Sequence, residues 1–285
     1  MEERLPARIQ IRDKAWLEIP HILVLIDDPD KSIIEPLAEL KGEREKLYDF
    51  DLSMGGGHVA GYKMKGPDYM KVMHACDEMA KPEVFSRKYN VFGKMPMVFA
   101  VGDGNHSLAA AKKYYEDRVA AGTADRLHPC RYALVELVNL HDDSLEFEAI
   151  HRAVFDVDHE KFLSELKAFC ASQSGNEDSQ KFTVIPDGKE EVIEVPTPKC
   201  TLTVGTVQEF IDQYLQENGG KVDYIHGDDV TRDLAAKGAV GILLPPMPKE
   251  DLFRAVILEG ALPRKTFSMG EACDKRYYLE TRKLI

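Results

Sequence analysis

Apolar residues in this chain come in short clusters, and their spacing changes character from one end to the other. Near the start the pattern is strand-like: Ala7 to Arg12 alternates, and Ile22 to Ile26 is a short apolar run closed by Asp27, Asp28 and Pro29. Leu47 to Met54 and His58 to Met64 flank Gly55, Gly56 and Gly57, which predicts a hairpin or a glycine-rich binding loop. From Asp68 to Met79 the spacing turns helical, with Met70, Val72, Met73 and Met79 set among polar residues. Met97 to Val101 then predicts a buried strand. A tight Gly102-Asp103-Gly104 turn follows, with a helix opening at Asn105 or His106. Its apolar stripe reads as Leu108, Ala111, Tyr115 and Val119, and Gly122 marks its stop.

Tyr132 to Leu140 is the next predicted strand, and His141 to Ser144 turns it into another from Leu145 to Phe155. A helix over His159 to Cys170 leads into the polar run Ser172 to Gln180, which reads as a linker or long surface loop. Beyond it, strands at Phe182 to Ile185, Val192 to Val195 and Leu202 to Val204 precede a helix over Thr206 to Glu217. A strand at Val222 to Ile225, a helix from Asp228 or Asp229, a strand at Val240 to Leu244 and a helix over Lys249 to Glu259 come next. Strands at Lys265 to Ser268 and Arg276 to Glu280 close the chain. These elements predict an α+β fold of mixed sheets with flanking helices in two lobes, residues 1–170 and 180–285.

Composition narrows the function more than the fold. The 285 residues are 44% hydrophobic and 30% charged, enough for a sizeable core. Against 37 basic residues stand 49 acidic ones, a formal charge of -12. Such a surface repels a nucleic-acid backbone, and no basic run offsets it. The cysteines at 76, 130, 170, 200 and 273 are scattered and form no C-x-x-C pair, as expected of thiols in a reducing cytoplasm. No apolar run approaches the roughly 18 residues of a membrane span, and the charged N-terminus has no signal-peptide core. A cytoplasmic small-molecule protein is the expectation.

The leading candidate site is Gly102 to Ser107. Glycines let backbone approach a ligand, and a helix N-terminus offers unpaired N–H groups and the positive end of its dipole to an anion. Asp103 suits Mg²⁺ or a proton, while Asn105, His106 and Ser107 suit phosphate oxygens. The plainer alternative is that Asn105 or Ser107 only caps the helix. Neither the Walker A nor the G-x-G-x-x-G fingerprint is present. Gly55, Gly56, Gly57 and His58 form the second candidate, as a ligand loop or simply a hairpin tip. His226, Gly227, Asp228 and Asp229 read as a metal set or an N-cap, and His141 to Ser144 as a solvated turn. Arg264 and Lys265 read as a phosphate clamp or plain surface charge.

Five stretches carry a family resemblance: LIDDP at Leu25 to Pro29, YDFDLSMGGGH at Tyr48 to His58, and VGDGNHSLAA at Val101 to Ala110, followed by YALVELVNLHDDSLEF at Tyr132 to Phe147 and LPRKTFSMGEACDKRYYLE at Leu262 to Glu280. They resemble bacterial members of the domain-of-unknown-function 1015 family. Members generally carry a further N-terminal region, so the resemblance implies a first lobe that is shortened here. The Asp-Gly-x-His turn is similar to the Asp-Gly-His-x-Arg turn of the ParB, sulfiredoxin and free-serine-kinase group, where such a corner binds nucleotide phosphates. That likeness carries over Asp103 and Gly104 directly and His106 with a one-residue offset, while Ser107 stands where the arginine belongs. It implies a nucleotide or other anionic small molecule as ligand, with ATP or ADP and Mg²⁺ as cofactors of a small-molecule phosphotransferase. The alternatives are a non-catalytic binding or regulatory protein and a metal-dependent hydrolase built on His58, His106 and His226.

Overall fold

The structure, a computed structural model, describes residues 5–19, 22–175, 177–270 and 278–284. They form two compact units, residues 1–143 with 272–285 and residues 144–271. The division falls at Asp143 and Ser144, so the polar run Ser172 to Gln180 lies within the second unit. There Gly175 donates its N–H to the Thr197 carbonyl at 2.8 Å.

The first unit opens with a helix, α1 (Leu5–Asp13), where the alternation of Ala7 to Arg12 predicts a strand. Leu5, Ile9 and Arg12 are its half-buried positions, a helical spacing, and α1 lies along a later helix of the same unit. After β1 (Leu17–Glu18), the apolar run gives β2 (Leu23–Ile26), buried at Val24, Leu25 and Ile26. A hairpin follows, β3 (Glu45–Asp51) and β4 (His58–Lys63), paired from Glu45 with Lys63 to Asp51 with His58. Helix α2 (Gly66–Met79) matches its expected span, whereas α3 (Pro82–Tyr89) has no counterpart in the sequence reading.

Strand β5 (Ala100–Asp103) is displaced toward the C-terminus from the predicted Met97 to Val101, and it is half-buried along its length. Its partner decides this, since Ala100 and Asp103 pair with Leu25 and Leu23 of β2. Helix α4 (Asn105–Ala120) buries Ala110, Ala111 and Tyr114, so the stripe through Tyr115 and Val119 is corrected by one residue. Tyr114 lies between the guanidinium groups of Arg12, 5.8 Å from its ring centroid, and Arg118, at 5.5 Å. Only Glu136–Asn139 of the predicted Tyr132 to Leu140 forms β6, because β2 offers four residues for pairing. The sheet order is β5-β2-β6, antiparallel then parallel.

The second unit is built on β7 (Phe147–Phe155), followed by α5 (His159–Ser172), β8 (Gln180–Ile185) and β9 (Glu191–Val195). Residues Leu202 to Val204 open a helix instead of forming a strand. In α6 (Thr203–Asn218) the first turn is buried on nearly every side, and such a segment cannot be told from a strand by periodicity. Then come β10 (Lys221–His226), α7 (Asp228–Ala236), β11 (Val240–Leu243), α8 (Asp251–Glu259) and β12 (Phe267–Met269). The sheet runs β10-β7-β11-β8-β9 with β12 on β7, and each of these pairings is antiparallel. Strand β12 starts two residues late because Lys265 has φ 56, outside extended space. Of the predicted Arg276 to Glu280 strand, residues 276 and 277 lie outside the described residues and 278–280 are not extended into a sheet. The last strand is β13 (Arg282–Lys283), antiparallel to β1 in the first unit.

Candidate functional site

The corner between β5 and α4 is made by one residue. Gly104, at φ 84 and ψ 16, turns the chain from strand to helix in the left-handed region that a side chain disfavours. Gly102 and Asp103 belong to the strand, so the turn is tighter than a three-residue loop. Asp103 folds back, its Oδ1 accepting the Gly104 N–H at 2.7 Å. No side chain caps α4, which removes the reading of Asn105 or Ser107 as an N-cap. The first intrahelical bond runs from Leu108 N to Gly104 O at 3.0 Å, leaving the amides of Asn105, His106 and Ser107 at the mouth of the helix dipole. His106 and Ser107 are half-buried and Asn105 is exposed. His106 Nδ1 is sealed from solvent with no hydrogen-bond partner.

The second glycine cluster is explained by the hairpin itself. Gly55 and Gly57 have φ 72 and 88 and Met54 has φ 59, while Leu52 N donates to Gly57 O at 2.7 Å. Gly56 has an ordinary φ of -70. A Cβ there would press on Ser53 O at 3.2 Å. Both ring nitrogens of His58 are engaged inside the hairpin, Nδ1 with Asp51 and Nε2 with Asp49, each at 2.8 Å. The bond to Asp51, reinforced by Asp49, raises the His58 pKa above its ordinary value of 6.5.

In the second unit His226 pairs with Glu148, and His151 Nε2 meets Asp228 at 2.8 Å. Arg264 and Lys265 are exposed on their turn, and the Arg264 carbonyl accepts from Arg152 at 3.3 Å. Among the described residues no three His, Cys, Asp or Glu side chains converge to hold a metal ion. Three-histidine metal chemistry therefore has no ligand set there, and Asp103 offers Mg²⁺ a single carboxylate. The cysteines at 76, 130, 170 and 200 are free thiols, and Cys273 lies outside the described residues. No helix among the described residues is long and apolar enough to cross a membrane.

A polar cluster at the opposite end of β2 takes in His141, which the sequence pattern places in a solvated turn, together with Asp27, Lys88 and Tyr89, which are not among the sequence candidates. Asp27, 6% exposed, takes Tyr89 Oη on Oδ2 at 2.7 Å, Lys88 Nζ on Oδ2 at 2.9 Å and His141 Nε2 on Oδ1 at 2.6 Å. Burial pushes the Asp27 carboxyl up, but the bonds from Tyr89, His141 and Lys88 outweigh it and hold the group below its ordinary value. Beside it, Asn139 Nδ2 donates to the Asp28 carbonyl and to Glu35 Oε1, both at 2.8 Å. His141 to Ser144 is thus anchored at its first residue, and its sequence signal is no more than a pair of aspartates ending an apolar strand.

The described residues define an α+β protein whose first unit presents an uncapped, glycine-opened helix at the end of a small mixed sheet. The chain belongs to the DUF1015 family, proteins of unknown function, whose family profile matches residues 1–214. No curated protein matches it. Among solved structures it is similar to a free serine kinase in complex with AMP, at 15% identity and a TM-score of 0.39, over 66% of this chain and 73% of that one. A mutant of that kinase with AMP gives the same values. A conserved hypothetical protein from Pyrococcus furiosus is similar at 11% identity and a TM-score of 0.40, over 93% of this chain and 96% of its own.

Proposed function

We propose that the corner at Gly102 to Ser107 binds the phosphate of a nucleotide, ATP or ADP, and that the chain is a small-molecule phosphotransferase. The observation that carries this reading is the left-handed Gly104, which opens a 16-residue helix with no side-chain cap at the end of a sheet strand. Backbone donors fixed in that geometry neutralise phosphate charge without reorganising, and phosphoryl transfer depends chiefly on such positioning. The amides of Asn105, His106 and Ser107 hold the phosphate oxygens. His106 steadies the charge that develops on them. Asp103 offers one carboxylate oxygen to Mg²⁺, which when bound supplies charge neutralisation alongside phosphate and water ligands.

A second reading, a non-catalytic sensor of an anionic metabolite, is favoured by the bond that ties Asp103 Oδ1 to the Gly104 N–H at 2.7 Å. An acceptor hydroxyl needs a base, and Asp103 is engaged in the turn.

A thermal-shift titration with ATP, ADP and inorganic phosphate, each with and without Mg²⁺, tests both. A ligand at a hundred times its dissociation constant stabilises the fold by about 2.7 kcal/mol. Stabilisation by one nucleotide that is lost in Gly104→Ala supports the phosphate corner. Transfer of phosphate to a hydroxyl acceptor, abolished in Asp103→Asn, supports the enzyme. Binding without transfer supports the sensor. A folded protein that responds to none of these ligands overturns the corner as a phosphate site.

A further inference from the structure

We propose that the first unit carries a docking surface for a membrane rich in anionic lipid, at the C-terminal ends of α1 and α4. Four large apolar side chains stand out from it. Trp16 is 74% exposed, Leu17 55%, Leu127 87% and Tyr132 55%. Single exposed apolar residues are ordinary on a protein surface, but a group of them held together and ringed by cations marks a contact.

Three segments distant in sequence are tied together there. Arg118, in the last turn of α4, stands 3.8 Å from Asp13 at the end of α1, so the two helices end side by side. Strand β1 leaves α1 and pairs with β13, Leu17 opposite Lys283 and Glu18 opposite Arg282. Side chains alternate along a strand. Glu18 therefore turns inward, onto Arg12 and Arg282, while Leu17 and Lys283 share the outer face. Arg282 also donates to the Pro129 and Tyr132 carbonyls, which fixes the loop that carries Leu127 to the same place. The Leu284 N–H reaches the Trp16 carbonyl at 3.0 Å.

Charge selects the partner. The chain's acidity lies mostly in the second unit, with 13 basic and 23 acidic residues, while the first unit holds 24 and 26. On the docking face Lys14, Arg126, Arg131 and Lys283 are exposed, and none has an ion-pair partner among the described residues. The exposed acids beside them are Asp13, which faces Arg118, and Asp125, whose Oδ1 accepts the Leu127 N–H at 2.8 Å. The local surplus is positive. Tryptophan and tyrosine suit the headgroup level of a bilayer, where lysine and arginine meet lipid anions and apolar tips reach the acyl boundary. Leu127 and Trp16 protrude most, and a fluid surface closes around such tips, whereas a rigid partner needs a pocket for each. Peripheral contact of this kind requires no spanning helix. The Gly102 corner sits at the far end of the 16-residue α4, roughly 24 Å away, and stays open when this face docks.

The test uses the full chain and the fluorescence of Trp16, its sole tryptophan, which lies in the docking face itself. The probes are vesicles of phosphatidylcholine, alone or with about one third phosphatidylserine. The anionic vesicles shift the emission to the blue and carry the protein down on sedimentation, binding at least about tenfold more tightly than the neutral ones. High salt removes most of that preference. Replacing two exposed cations together, Arg126→Gln with Lys283→Gln, lowers it with circular dichroism unchanged, and Leu127→Ser weakens binding to both vesicles. Equal binding to the two vesicles, an unchanged preference in the double variant, or no binding by folded protein overturns the proposal. So does a blue shift that follows protein concentration without lipid, which assigns the face to a second copy. Binding to polyglutamate or single-stranded DNA without binding to vesicles overturns it too, in favour of an acidic polymer as partner.

Discussion

Arg152 sits in the middle of β7 with 0% exposure, and replacing it with methionine weighs a buried charge against the acceptors it serves. Its Nε donates to Gln208 Oε1 at 2.9 Å, Nη1 to the Ile150 carbonyl at 2.5 Å and Nη2 to the Arg264 carbonyl at 3.3 Å. The guanidinium also lies 4.7 Å from the Tyr224 ring centroid. Burial lowers its pKa from 12.5 to about 10, opposed by Tyr224 and Asp212, and Asp212 is reached only through Gln208. At about 1.4 kcal/mol per unit, relieving that desolvation returns about 3 kcal/mol. Against this, methionine strands three acceptors at roughly 2 kcal/mol each. Arg152→Met should therefore destabilise the second unit by about 3 kcal/mol, whereas buried ion pairs replaced together with their partners often show no loss. Far-UV circular dichroism during urea unfolding reads the change. The sole tryptophan, Trp16, belongs to the first unit and does not report on the second. An Arg152→Met variant as stable as the parent would mean that the acceptors gain nothing from the guanidinium, and the reasoning would fail.

Four further outcomes rest on geometry of the same kind. His151 accepts the Leu244 N–H on Nδ1 at 3.1 Å, and burial holds its pKa below 6.5 despite Asp228. The stability this neutral histidine supports is present above pH 6.5 and lost as pH falls through it, so His151→Gln should flatten urea stability between about pH 5 and 7. His58 has the opposite sign: its raised pKa favours the hairpin below pH 6.5, with the effect lost as pH rises through the folded value, and His58→Gln should remove that slope. Asp68, forked by Arg44 at 2.7 Å on each oxygen and bonded to Lys65 N, has a pKa of about 2. Its contribution is present above about pH 4 and lost toward pH 2, and acid titration of Asp68→Asn should lack that step. Gly104→Ala, at φ 84, should cost about 1–2 kcal/mol in thermal unfolding and weaken phosphate binding together. Stability lost without any change in phosphate affinity would detach the corner from ligand binding.

The elements that the residue pattern predicts correctly are those whose own periodicity decides them. The hairpin around Gly55 to Gly57, the helix over Asp68 to Met79 and the long β7 all keep the expected positions. The misses occur where a partner decides. Ala7 to Arg12 alternates over too few residues to separate two periods, and packing along α4 makes it a helix. Strand β5 is shifted because hydrogen bonding to Leu23 through Leu25 sets its extent, and no count of apolar residues contains that register. Leu202 to Val204 reads as a strand because a helix turn buried all round carries no helical signal.

The same division runs through the candidate sites. Gly104 is legible because a left-handed backbone position leaves a local mark, a glycine between a strand and a helix. The trio on Asp27 is not, because Tyr89 and His141 lie 62 and 114 positions away in sequence. Each of those residues alone is an ordinary surface type, and only the ends of β2, β6 and α3 bring them to one carboxylate. Arg152 shows the extreme: nothing in its neighbourhood of the sequence marks it as buried, yet Gln208 and Arg264 come from elements 56 and 112 residues away to receive it. Local backbone chemistry is therefore legible in the sequence, whereas buried charged groups are assembled by topology, and mutations at the second kind are the sharper test of the fold.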